Sequence, residues 1–152
     1  MKTKKFGKIH TYSLLLVFLF IAIISCNKNP YNDNSRLLGT WENKQPTYTE
    51  TYIYDGINFD AGSYKMKVKS IIWSSDASGI IYGRYITNSF YTNVVGKYYA
   101  VSFKDLTDTS ISISGAYKEK GKMAADSLVE AITEFTINNG YYGNYSSCKK
   151  VK

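Results

Sequence analysis

The side chains able to carry covalent or acid–base chemistry are few in this 152-residue chain: Cys26, Cys148, the single histidine His10, and twelve scattered carboxylates. A Ser-His or Cys-His nucleophile needs an imidazole beside it, and a zinc site needs Cys and His ligands grouped at short spacing. Neither grouping is present. Carboxylates act as an acid–base pair only where a fold brings them together, and their spacing here marks no pair. Cys26 stands apart by position. It follows a head carrying Lys2, Lys4, Lys5 and Lys8 and an unbroken run of eleven apolar residues, 14–24, and it closes the tetrapeptide Ile23-Ile24-Ser25-Cys26.

Eleven apolar residues fall short of the roughly 20 that cross a bilayer as a helix, but they suit the hydrophobic core of a secretory signal. The whole arrangement resembles the signal peptide and lipobox of bacterial lipoproteins, with Ile23 where leucine is commoner and Ser25 where glycine or alanine is commoner. The resemblance implies that residues 1–25 are removed and that Cys26 becomes the mature N-terminus, bearing acyl chains such as palmitate. Several chains, at about 0.8 kcal/mol per buried methylene, hold a protein on a membrane far longer than one does. The expected address is the cell envelope, the outer membrane being favoured over the inner. A plain signal peptide, or an uncleaved anchor with an incidental cysteine, is the alternative.

Loss of residues 1–25 removes four of nineteen basic residues and none of twelve acidic ones, so the formal charge falls from +7 to +3. Nucleic-acid binding requires a concentrated basic face, and no nucleic-acid partner is expected. His10 leaves with the signal, no cofactor or metal is expected, and the protein is read as a non-enzyme. Cys148 has no intramolecular partner once Cys26 is acylated; it is a buried free thiol, an inert C-terminal residue or an intermolecular bridge. Residues 26–36, polar, Asn-rich and broken by Pro30, read as the lipidated N-terminus and flexible spacer. Residues 37–152 form one domain, large enough to bury a core without disulfides.

That domain is rich in Tyr, Ile, Thr and Val, which fit a pleated, half-buried surface. Strands are expected over residues 38–43, 47–54, 63–69, 80–86, 90–95, 97–103, 109–116 and 141–148, with residues 149–152 fraying. Tyr64, Met66 and Val68 alternate with Lys65, Lys67 and Lys69, the two-residue period of a strand with one wet face. Short strands at this spacing indicate an antiparallel barrel or a sandwich. One segment differs. Ser127-Leu128-Val129-Glu130 matches a capping box, and Leu128, Ala131, Ile132 and Phe135 then recur along one helical stripe. A helix of about three turns, leaving through Asn138-Asn139-Gly140, should lie against the sheet before the last strand.

Gly39 and Trp41, in Leu38-Gly39-Thr40-Trp41, resemble the Gly-x-Trp signature of the lipocalin-like, or calycin, β-barrels, a family whose bacterial members include many lipoproteins. The resemblance implies a mainly β fold, a small antiparallel up-and-down barrel in which Gly39 permits a tight entry and Trp41 packs across the closed end. A β-sandwich is the alternative fold. In the family a late basic residue caps the tryptophan; Lys149, Lys150 and Arg84 are the candidates. A helix ahead of the last strand departs from the usual order, in which it follows the barrel.

A closed eight-stranded barrel either holds one small ligand or fills itself with side chains. Tyrosine, with an apolar ring and a hydroxyl that wants a partner, suits a part-wet cavity wall. Seven tyrosines fall in expected strands: 52, 54, 64, 82, 85, 98 and 99. Tyr52, Tyr54, Tyr64, Tyr82 and Tyr98 are the ligand-binding candidates, for a small apolar or amphipathic molecule. The competing reading is a filled barrel that binds an envelope or host macromolecule through exposed aromatics such as Phe90 with Tyr91, or Tyr141 with Tyr142.

Overall fold

The computed structural model describes residues 33–151, within the compact unit 31–152. Residues 1–25, expected to be a signal peptide, Cys26 and residues 27–32 lie outside the described residues, as does Lys152. Eight antiparallel strands in chain order close a barrel: β1 (Gly39–Lys44), β2 (Thr49–Tyr54), β3 (Asn58–Asp60), β4 (Tyr64–Ser75), β5 (Ser78–Asn88), β6 (Tyr98–Lys104), β7 (Ser110–Gly115) and β8 (Ser146–Val151). Each strand pairs with the next, and β8 returns to β1 through Thr40↔Val151, Trp41↔Lys150 and Glu42↔Lys149. The fold is thus an up-and-down barrel and not a sandwich, with the helix α1 (Leu128–Glu134) ahead of the last strand. Among the described residues no helix is long and apolar enough to cross a membrane.

Side-chain alternation along each strand divides inside from outside. Trp41, Tyr54, Phe59, Met66, Ile81, Val101, Phe103, Ile111, Ile113 and Cys148 form one buried cluster inside the barrel. Asp33, accepting from the Ser35 N–H at 2.8 Å, starts a 3-10 turn over Asn34–Leu37 that brings Leu37 into this cluster. Residues 33–36 therefore belong to the folded end of the barrel. The Trp41 indole N–H donates to the Leu37 carbonyl at 3.0 Å, and the Lys150 ammonium lies 4.9 Å from the Trp41 ring centroid. Gly39 is required here: its φ is +128°, and a Cβ would meet Lys150 Cε at 2.8 Å.

A second cluster, Tyr82, Ala100, Ala125, Ala131, Phe135 and Tyr141, lies on the outer face of β5 and β6, where α1 packs. Ser127 Oγ accepts from the Glu130 N–H at 3.1 Å, as the capping box requires. The Glu130 carboxylate reaches one residue further back than the usual box, to the Asp126 N–H at 2.8 Å. The helix is seven residues long, shorter than the three turns expected. Side chains take up its final carbonyls: Asn139 Nδ2 donates to Thr133 O and Glu134 O, and the Tyr82 and Tyr142 hydroxyls both donate to Phe135 O.

Two expected strands change. Residues 90–95 form a loop with a 3-10 turn over Thr92–Val94, because Asn88 Oδ1 accepts from the Phe90 and Tyr91 N–H groups at 3.0 and 2.9 Å and bends the chain out of the sheet. The last strand begins at Ser146 and runs to Val151; residues 149–151 pair with β1 and do not fray. Strand β3 had no sequence signal, being three residues long. Its register follows from the Asp55-Gly56 turn, where Asp55 Oδ1 accepts from the Ile57 and Asn58 N–H groups and its carboxyl is held down to about 2, first by the bond from the Asn58 side chain and then by those two backbone bonds.

Candidate functional site

Strand direction places the β1–β2, β3–β4 and β5–β6 connections, together with the long segment 116–145, at the end of the barrel opposite Trp41. The Trp41 end is filled. The space between Trp41, Tyr54, Phe59, Ile81, Val101 and Phe103 is about 10 Å³, at the lower limit for one water molecule. The other end is open. One cleft of about 500 Å³ is lined by Thr49 to Tyr52, residues 61–64 and Gly115. A second, of about 250 Å³, runs from Tyr64, Tyr85 and Tyr99 to Phe90, Tyr91, Tyr117 and Met123. Tyr64 lines both.

The sequence-derived candidates separate accordingly. Tyr52 and Tyr64 stand at the open end. Tyr54 is buried in the filled core and donates to Gly56 O at 3.3 Å. Tyr82 and Tyr98 pair across β5 and β6 with Ala100 and Arg84 on the outward register, so they face the helix side rather than the cavity. Tyr82 supports α1, and Tyr98 exchanges backbone bonds with Ala125. Tyr85 and Tyr99, inward on the same two strands, belong to the mouth instead. They stack with centroids 5.0 Å apart, and Tyr64 meets each edge-on at 5.7 and 5.4 Å.

Burial pushes the phenols of Tyr64, Tyr85 and Tyr99 upward from the usual tyrosine range, so all three stay protonated donors. Neither Tyr64 Oη nor Tyr99 Oη has a hydrogen-bond partner among the described residues. Gly115 makes room for both: a Cβ there would lie 2.7 Å from Tyr99 Oη and 3.6 Å from Tyr64 Oη. Tyr52 Oη bonds Ser146 Oγ at 3.4 Å, and its pKa is raised, first by burial.

Two parts of the mouth escaped sequence reasoning. Glu50 shares the inward side of β2 with Tyr52 and Tyr54, a position its two-residue spacing from them marks; Asn43 Nδ2 donates to its carboxylate at 2.9 Å. The outer wall, residues 117–123, carries no periodic signal. It is pinned by buried Tyr141, whose hydroxyl accepts from the Lys122 N–H at 2.9 Å and donates to Glu134 at 2.5 Å. Tyr141 is therefore a structural post, and Tyr142 is half-buried, so they form no exposed patch. Phe90 and Tyr117 do project, 76% and 74% exposed.

Cys148 is a buried free thiol, pushed up to about 11 by burial and then by the nearby Glu50 charge. A protonated thiol inside an apolar core is inert. Among the described residues no group of three or more His, Cys, Asp or Glu side chains stands together to hold a metal ion. Comparison with family models, curated proteins and solved structures gave no match.

Proposed function

We propose that this protein is a non-enzymatic lipoprotein of the cell envelope, tethered through Cys26, whose lipocalin-like barrel captures a small amphipathic molecule at its open mouth. The observation that carries this reading is the tyrosine wall. Tyr64 presents its ring and uncommitted hydroxyl to both clefts and Tyr99 to the one of about 250 Å³; that smaller cleft is largely apolar, and a largely apolar hollow with a few convergent polar groups is the usual form of a small-molecule site. The ligand sits at the mouth because the Trp41 end has no room for it. Lys150 over Trp41 meets the expectation of a late basic residue capping the tryptophan, and so supports the family resemblance. The absence of histidine after residue 25 and the raised, buried thiol support a non-catalytic role.

The exposed Phe90, Tyr91, Tyr117 and Met123 favour a second reading, a docking surface for an envelope or host macromolecule. Native mass spectrometry of the protein gently extracted from its own host separates the two. Under the ligand reading a small molecule travels with the wild-type chain and is lost from Gly115→Leu, whose side chain enters the mouth. Absence of any bound mass from the wild type would favour the macromolecular reading.

A further inference from the structure

We infer that the molecule taken at the mouth is an organic ammonium: a compact cationic head carried on an apolar body. This rests on the reading of the mouth as a binding site and adds the chemical class. The larger cleft has one charged side chain in its lining, Glu50. Glu50 is half-buried, points into the barrel with Tyr52, and makes no ion pair among the described residues. Its contacts are the Asn43 amide at 2.9 Å and, at the 3.5 Å limit, the Tyr52 hydroxyl. Two basic side chains line the neighbouring cleft: Lys122, paired with Glu130, and Lys118, whose ammonium lies 5.7 Å from the Tyr141 ring centroid. In a domain of net positive formal charge, the lining of the larger cleft thus carries a negative charge of its own.

The cleft also presents backbone groups and aromatic rings. Strand β3 pairs with β2 only at Ile53↔Asp60 and Tyr54↔Phe59, so the edge of β2 beyond Ile53 has no strand partner. Backbone groups alternate in direction along a strand, and Thr51 shares the direction of Ile53, which leaves both its carbonyl and its N–H facing the cleft, one acceptor beside one donor. An ammonium donates hydrogen bonds and accepts none, matching a carboxylate and a free carbonyl. Ring faces attract a cation through their quadrupole, and Tyr52 and Tyr64 form the cleft's aromatic walls. A carboxylate ligand would face Glu50 with like charge, and a neutral alcohol would leave the charge unanswered.

The test uses three probes with the same phenyl body and different heads: phenethylamine, 2-phenylethanol and phenylacetate. Each is titrated calorimetrically into the detergent-solubilised full chain. The amine should bind at least about ten-fold more tightly than the alcohol, and phenylacetate should not bind measurably. Glu50→Gln, which keeps an acceptor for Asn43, should weaken the amine by roughly ten- to a hundred-fold and bind the alcohol at least as tightly as the wild type does. Glu50→Asp should retain a preference for the amine, and thermal melts verify that both variants fold. If the alcohol or phenylacetate binds as well as the amine, the ammonium assignment falls and the binding-module reading stands. If no probe binds, both fall.

Discussion

Replacing Trp41 with alanine probes the closed end of the barrel, on which the position of the mouth depends. The side chain is 1% exposed, its indole N–H is committed to Leu37 O, and its ring lies under Lys150. Truncating a buried tryptophan costs about 3–5 kcal/mol, and the lost indole bond contributes about 1 kcal/mol of that. For a domain of this size the melting temperature should fall by roughly 12–20 °C. Trp41→Phe keeps a ring in place but leaves Leu37 O without its donor, so its cost should be about 1–2 kcal/mol. Urea unfolding followed by circular dichroism measures both. Trp73, half-buried and bonded to Asn34 at 3.0 Å, serves as the comparison, and its alanine variant should lose less. A loss below about 1 kcal/mol for Trp41→Ala would refute the reasoning that this end is a packed plug.

Alkaline pH should destabilise the fold. Tyr64, Tyr85, Tyr99 and Tyr142 all have raised pKa values, chiefly through burial, so their contribution is fully present below the unfolded tyrosine value of about 10 and is lost as pH rises above it. Cys148, raised from 9.0 to about 11, acts in the same direction. Tyrosinate absorbance should lag and then rise with unfolding; complete ionisation of a still-folded barrel would contradict this. For the anchor, Cys26→Ala should shift the protein from the detergent phase to the aqueous phase or block its processing. Unchanged partitioning and mass would remove the lipid tether from the account.

Much of the architecture is written in local pattern. The alternation around Tyr64–Val68, the Asp55-Gly56 turn and the capping box at Ser127 each express a short-range rule, and each appears in its expected element. Strand number came out at eight through compensation, since residues 90–95 left the sheet and β3 entered it. Both outcomes rest on side chains closing turns: Asn88 bends an apolar run that has no partner strand, while Asp55 sets the register of a strand too short to announce itself. The C-terminal strand stayed paired to its end because β1 needs it to close the barrel, a tertiary demand invisible in Lys149, Lys150 and Val151 alone.

The mouth was legible only in part, because strand assignment does not settle which way an adjacent pair of tyrosines faces. Tyr98 and Tyr99 differ by one position and fall on opposite sides of the wall, as do Tyr82 and the inward residues beside it. Register against β5 decides this, and register is long-range information. Glu50 was within reach of the two-residue period but was masked by the aromatic residues around it. The wall at residues 117–123 depends on Tyr141, some twenty positions further on, and no local pattern predicts that contact.

The most direct measurement is an experimental structure of the protein with the molecule that accompanies it out of its own host. Density against Tyr64 and Tyr99, within reach of Glu50 and leaving the Trp41 core undisturbed, is the result this account predicts. A ligand lodged beside Trp41, or a mouth closed by protein side chains, would contradict it.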